Sequence, residues 1–339
     1  FPGYRRRFYV REEIDGITVH RVWIYAAADA GVKRLVSYLS FMITCLYGLA
    51  RSAKPDFLFV ESPPLFLSLP AFIVSRMWGV PFIFNVADLW PDAAKDLGIV
   101  ENRIVLWLAY HFEMWSYRKA KIVNAITDGV YNALVTAKGV EPQRVGFLPN
   151  GVDIDLFRPM APDPELQRKF NCEGRAVFLY AGTHGYGQGL PVILQAASLL
   201  RDQPVVFVFV GDGPVKSELL KMKVELGLSN VIFEDPQPLE RMPAYYSIST
   251  ASIVPLKDVP LFDGVRPSKL FPSFGSGVPV IYAGKGEGAR LVEATESGIV
   301  VPPENADALA TAVMKLACDQ KLSRELGVNA RKYVVENMA

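Results

Sequence analysis

Residues 176–201 read AVFLYAGTHGYGQGLPVILQAASLLR. Ala176–Ala181 is apolar throughout, with no alternation, which is the pattern of a strand covered on both faces. Leu190–Arg201 repeats apolar residues at helical spacing. Between them stand Gly182, Gly185, Gly187 and Gly189, four glycines in eight positions. A strand, a glycine-rich loop and a helix in that order open a doubly wound α/β domain, and the loop amides can approach a phosphate closely. The spacing is neither a Walker loop nor a Gly-x-Gly-x-x-Gly dinucleotide turn. His184 inside the loop reads as a bystander.

The same rhythm continues on both sides of this stretch. Downstream, strands are expected at Pro204–Val210, Asn230–Glu234, Ala251–Pro255, Val278–Tyr282 and Gly298–Val301. Helices are expected at Val215–Leu226, Glu240–Ser247, Ser268–Gly275, Ala289–Ser297, Ala306–Cys318 and Lys321–Asn337. Upstream, Ile17–Ile24, Asp56–Glu61, Val80–Val86, Lys121–Ile126 and Arg144–Leu148 read as strands. Helical patterns lie between them at Lys33–Ser52, Pro64–Trp78, Arg103–Arg118 and Gly129–Lys138. Alternation of this kind implies right-handed crossovers and mostly parallel sheets. A polar stretch carrying Pro159, Pro162 and Pro164 separates the halves and reads as a linker. The expected organisation is therefore two tandem Rossmann-like α/β domains, 1–156 and 173–339, joined by 157–172.

Composition bounds the function. The chain has 339 residues, which suits about two domains, and 36 Lys plus Arg against 35 Asp plus Glu give a net charge of +1. Nucleic-acid-binding domains carry a basic excess, so no nucleic-acid partner is expected. Cys45, Cys172 and Cys318 are widely spaced and odd in number, and His20, His111 and His184 are too few for a histidine-rich metal site. A reducing, cytoplasmic setting fits, with no metal.

Charge is unevenly distributed. Up to Lys54 there are nine Lys or Arg, including Arg5, Arg6 and Arg7, against four Asp or Glu. A cytosolic surface near anionic lipid is one reading, and a solvated basic face is the other. Leu35–Ala50 is apolar but spans only 16 residues, short of the ~20 that cross a bilayer. It reads as a buried helix or one lying on a membrane surface.

Ligands of such sheets bind beyond the carboxyl ends of the strands. On that basis the Gly182 loop, including Thr183 and Gln188, is a phosphate site. Gly211-Asp212-Gly213 allows a tight turn in which Asp212 caps the next helix. Glu234 and Pro255 end the following strands. In Asp258–Ala283, Ser268 follows Pro267 as a helix cap, with Lys269 and Arg266 beside it to offset a diphosphate. In the first half, Asn85–Asp92 (NVADLWPD) ends a strand and places Asp88 at the cleft; Glu61 is a similar, weaker candidate. His111 and Glu113, two residues apart on one helix, cannot share a face.

With these pieces the chain resembles the family 4 glycosyltransferases of the two-domain GT-B type. The resemblance rests on YAGTHGYGQGL, FVGDGP, RPSKLFPSFGSGVPVI and FLPNGVD, and it covers nearly the whole chain. YVREEIDGITVHRVW and VADLWPD resemble the subgroup building bacterial surface polysaccharides, including N-acetylfucosaminyl transferases. The resemblance implies a nucleotide-sugar bound by the second domain, UDP-linked in preference to GDP-linked, and a lipid-linked or glycan acceptor bound by the first. It implies retention of configuration and no bound metal or cofactor. The Gly182 loop, Gly211, Ser268, Lys269 and Gly277 fall within the donor-binding motifs, while Glu234 and Pro255 would meet the base. Lys269 and Asp88 are the expected catalytic residues.

The chain departs from the family pattern in several places. Thr183 and Gln188 stand where relatives carry Arg and Lys. Gly264 and Pro272 stand where two glutamates are usual, leaving Asp263 as a nearby substitute, and Ala87 replaces a histidine. Relatives also carry a further strand, loop and helix ahead of Phe1 and a longer final helix, so the chain is read as a fragment. Two other readings share the plan: a nucleotide-sugar epimerase, and a non-catalytic nucleotide-sugar-binding subunit.

Overall fold

The structure, a computed structural model, describes residues 7–26 and 32–338. Arg5 and Arg6 of the basic start lie outside the described residues. The chain divides into two compact units, one ending at Leu148 and one beginning at Pro149.

The first unit opens with β1 (Tyr9–Ile14) and β2 (Ile17–Val22), an antiparallel hairpin in which Ile14 faces Ile17. This corrects the expected parallel strand at Ile17–Ile24. Asp15 and Gly16 both take positive φ, 51° and 78°, which is the turn that joins antiparallel neighbours in two residues. A parallel crossover needs a dozen or more residues. After α1 (Val32–Leu49) come β3 (Leu58–Ser62), α2 (Ser68–Trp78), β4 (Phe82–Val86), α3 (Asp92–Asp96), α4 (Arg103–Lys119), β5 (Ile122–Ala125), α5 (Asp128–Thr136) and β6 (Val145–Phe147). The four strands β3-β4-β5-β6 form a parallel sheet in that order. Its core gathers Phe82, Phe84, Val123, Tyr117 and Leu134. Among the described residues, no helix is long and apolar enough to cross a membrane.

The second unit begins with α6 (Pro164–Lys169), followed by β7 (Ala176–Ala181), α7 (Pro191–Leu199), β8 (Val205–Val210), α8 (Lys216–Glu225), β9 (Val231–Glu234), α9 (Met242–Ser247) and β10 (Ala251–Pro255). Then come α10 (Leu270–Gly275), β11 (Val280–Ala283), α11 (Gly286–Ala294), β12 (Gly298–Val301), α12 (Ala306–Cys318) and α13 (Gln320–Asn337). All six strands are parallel, in the order β12-β11-β10-β7-β8-β9. The chain winds outward from β7 to β9, returns, and winds the other way from β10. The reversal between β7 and β10 is the topological switch point, where connections diverge and leave a crevice.

Side chains alternate across β7 and β8. Phe178, Phe207 and Phe209 pack on one face with α7 and α12, while Val177, Leu179, Val206 and Val208 pack on the other. That second face is covered partly by Phe157, Leu166, Phe170 and Cys172. The stretch expected as a linker is therefore part of the second unit's core, since an all-apolar strand must be covered on both sides. The boundary also lies earlier than expected. Arg331 of α13 donates to the carbonyls of Phe157 and Gly275, each at 2.8 Å, and Val152 N–H donates to the Met338 carbonyl at 3.1 Å.

Candidate functional site

In the second unit the carboxyl ends of β7, β10 and β8 bring residues from distant parts of the chain together. Gly182 leaves β7 with φ +144°, a backbone state that L side chains rarely adopt. Its N–H donates to the Val210 carbonyl at 3.0 Å, continuing the ladder one residue past the strand. A Cβ there would stand 3.2 Å from Lys269 Cε. Gly211 leaves β8 with the same φ, and a Cβ on it would overlap the Gly182 carbonyl. The two glycines let the strand ends meet backbone to backbone.

Lys269 enters from the far side of the switch point. Its Nζ donates to Gln188 Oε1 at 2.5 Å and approaches Tyr180 Oη at 3.5 Å, while the Tyr180 hydroxyl donates to the Thr183 carbonyl at 2.6 Å. Burial pushes the Lys269 pKa down to about 8. Among the described residues no carboxylate pairs with it. A half-buried cation set against neutral oxygens, with no carboxylate beside it, can accept an anion.

The other expected residues distribute as follows. Thr183 is exposed beside the loop. Ser268 is exposed and caps nothing; Lys269 itself occupies the N-cap of α10, with no side-chain hydrogen bond to the helix. Asp212 likewise does not cap α8, whose N-cap is Val215; its Oδ1 accepts from Gly213 N–H at 2.8 Å and tightens the turn. Arg266 is engaged in an ion pair with Glu287 of α11 at 2.7 Å, both side chains nearly buried, so its charge is already answered. Pro255 ends β10 at the switch point, and two residues on Lys257 N–H donates to the Gly187 carbonyl at 3.0 Å, closing the loop onto β10. Glu234 ends the edge strand β9, where Lys169 Nζ lies 2.5 Å away and Tyr245 donates at 3.4 Å. Asp263 is exposed, and its backbone lies against Gly286 at the start of α11. Gly277 (φ +70°) stands at the amino-terminal edge of the sheet, ahead of β11, with its carbonyl close against Gly327. It serves packing there, because α10 has carried the chain back from the carboxyl edge.

Two neighbours of the site, Tyr180 and Lys216, were not singled out by sequence reading, and a third, His184, was read as a bystander. Tyr180 looks like one more apolar strand residue until its hydroxyl is placed. Lys216 donates to the Gly211 carbonyl at 2.9 Å and to Asp235 at 2.8 Å, bracing the second glycine turn. His184 is fully buried among Tyr180, Phe209 and Phe233, and neither ring nitrogen has a partner among the described residues. Burial, and then the Lys216 charge, lower its pKa to about 4, so it is neutral near pH 7.

In the first unit Asp88 follows β4 and is exposed. Crowding by protein atoms, then the Glu61 carboxylate, raise its pKa to about 6. Beneath it Asn85 donates to Glu61 at 2.8 Å and accepts from Asn124 at 2.6 Å, locking the ends of three strands. Trp90 packs toward Phe66, with ring centroids 6.3 Å apart. The loop beyond Asp88 is pinned at Asp92, which accepts from Tyr110 at 2.9 Å and Lys138 at 2.5 Å. Lys138 also reaches Glu113 at 2.8 Å, and Glu113 is fully buried while His111 is exposed, so the two do lie on different faces.

The family model "Glycosyl transferases group 1" matches residues 163–333, about half of the chain, and a "Glycosyl transferase 4-like domain" matches 1–151. The chain belongs to the group 1 glycosyltransferases. It is 30% identical over 319 residues to a protein of Escherichia coli (strain K12) named as the colanic acid biosynthesis glycosyl transferase WcaI, covering 90% of this chain and 77% of that one. It is 24% identical to the GDP-mannose-dependent alpha-(1-6)-phosphatidylinositol monomannoside mannosyltransferase of Mycolicibacterium smegmatis, covering 85% and 82% of the two chains. Anabaena Alr3699/HepE, solved with UDP and glucose, shares the fold at a TM-score of 0.71 and 17% identity, over 91% of this chain and 79% of that one. The chain is thus a glycosyltransferase of the GT-B fold, built from two Rossmann-like domains.

Proposed function

We propose that this glycosyltransferase moves a sugar, a hexose or N-acetylated aminodeoxyhexose, from a UDP-sugar to a lipid-linked or growing polysaccharide acceptor in surface-glycan synthesis. Retention of configuration and activity without a bound metal complete the reading. The observation that carries it is Lys269: a half-buried ammonium without a carboxylate, at the switch point beside two glycine turns. A diphosphate complements that cation, because its leaving charge grows during transfer and a preplaced ammonium in a crevice stabilises it most at that moment. Tyr180 and Gln188 aim the ammonium, and the Gly182 and Gly211 turns let phosphate oxygens approach the backbone. Asp88 receives the acceptor, its carboxylate accepting a hydrogen bond from the attacking hydroxyl.

UDP is favoured over GDP by the neighbour solved with UDP and glucose, and disfavoured by the GDP-mannose-dependent relative. The WcaI likeness supports a polysaccharide acceptor. Titration calorimetry of UDP- and GDP-sugars against the protein tests the donor. Saturable heat with UDP-sugars is expected; binding by none removes the foundation of the reading, and binding by GDP-sugars alone reassigns the nucleotide. Lys269→Ala is expected to cut turnover by about a hundredfold or more, the scale for losing one charge stabiliser.

A further inference from the structure

Helix α4 turns an unusual face to solvent. At 100° per residue, Arg103, Ile104, Trp107, Leu108, His111, Trp115, Arg118 and Lys119 fall within about 160° of arc. Glu113, Ser116 and Tyr117 fall on the opposite side and are buried. Ile104 is 69% exposed, Trp107 57% and Leu108 55%, although a helix packed on a sheet ordinarily turns polar residues outward. This outward arc holds no Asp or Glu. Its cations Arg103, Arg118 and Lys119 are exposed, and none has an acidic partner among the described residues.

Helix α2 extends the surface. Phe72 packs edge-on against Trp115 at 5.2 Å, and Lys119 Nζ lies 5.5 Å from the Phe72 ring. Beyond them Ile73, Arg76 and Met77 are exposed, Met77 at 76%. Aromatic and aliphatic side chains interleaved with unpaired cations, without an opposing acid, complement an apolar layer edged by anionic headgroups. The first turn of α4 also follows from the carboxyl edge of β4, the edge that carries Asp88.

We propose that the outward faces of α4 and α2 dock this protein flat on an anionic bilayer. Trp107, Leu108 and Ile104 enter the headgroup–acyl boundary, while Arg76, Arg118 and Lys119 meet lipid phosphates. This places the membrane contact on α4 and α2, whereas the sequence left a lipid-facing surface at the basic start and α1 as one of two alternatives.

Flotation of the full chain with vesicles tests this without donor or acceptor, so its failure leaves the transfer reading standing. Binding is expected to equal mixtures of phosphatidylglycerol and phosphatidylcholine, weakening as salt rises, with little binding to phosphatidylcholine alone. Trp107→Ser with Leu108→Ser is expected to lower partitioning about tenfold or more. Arg118→Ser and Lys119→Ser should each cost about fivefold on the anionic vesicles. Ile43→Ser on α1 should leave binding unchanged. Equal binding of the α4 variants and the parent overturns the proposal, as does binding lost only in the α1 variant or absent from both vesicle types. A concentration-dependent dimer in light scattering that the α4 variants abolish, with no vesicle binding, would assign the face to a second copy instead.

Discussion

Under the proposed function, Lys269 in the second unit and Asp88 in the first are the two residues whose protonation would set the pH dependence of transfer. The Lys269 ammonium, pushed down to about 8, is charged below that pH and loses its proton above it. Asp88, raised to about 6, is a carboxylate above that pH. Turnover should therefore peak between about 6 and about 8, falling on the acid side as Asp88 protonates and on the alkaline side as Lys269 deprotonates. Asp88→Asn should lower the rate and abolish the acid limb while keeping the alkaline one; an unchanged acid limb would detach Asp88 from the chemistry. Stability carries its own sign. The folded lysine binds its proton less tightly than the unfolded one, so burying the charge costs stability fully below about pH 8, a cost relieved as pH rises toward the ordinary lysine value. Lys269→Met should accordingly raise the thermal midpoint at pH 7 while cutting turnover, which differential scanning calorimetry beside a rate assay would check. Lys269 was legible in the sequence as a cation near a helix start. Its burial, and the capture of Arg266 by Glu287, were not, because both depend on which side chains the fold sets opposite them.

At the level of elements, the legible features were those with local causes. Apolar runs gave the parallel strands, and glycines marked the turns at 182 and 211. The hairpin at Asp15-Gly16 had a local signal too, a two-residue Asp-Gly turn between strands. The cluster of Asp92, Tyr110, Glu113, Tyr117 and Lys138 had none, since it joins α3, α4 and the residues just past α5. Lys138 is flanked by two carboxylates, and the Glu113 pKa is raised mainly by burial. Lys138→Met would leave those acids without their counter-ion and should cost about 3–5 kcal/mol. The variant should regain stability as pH falls, because buried unpaired acids take up protons more readily than they do in the unfolded chain. Denaturant melts across pH would read this, and a loss independent of pH would locate the damage in packing alone.

For the molecule as a whole, the two units carry separate cores and separate candidate sites. A nucleotide bound at the β7–β10 switch point stabilises the unit that holds it, by about 2.7 kcal/mol at a hundredfold excess over its dissociation constant. UDP should slow hydrogen exchange in β7, β8 and α10 and leave β3 to β6 unchanged. Protection spread equally over both units would place the nucleotide elsewhere. The proline-bearing stretch 157–172 is instructive at this scale. By composition it is a linker, yet Phe157, Leu166 and Phe170 are buried under the β7–β8 face.

The sequence by itself determined the two-domain α/β plan, most of its strands and the glycine-rich loop that follows β7. Those depend on periodicity and backbone freedom, which are properties of neighbouring residues. Only the tertiary structure decided that Lys269 stands half-buried without a carboxylate, that Arg266 is already paired and that Gly277 lies at the far edge of the sheet. It alone also showed that α4 turns tryptophan and leucine outward. Such facts depend on which groups meet across long sequence separations, where desolvation and charge pairing are set by the packed fold.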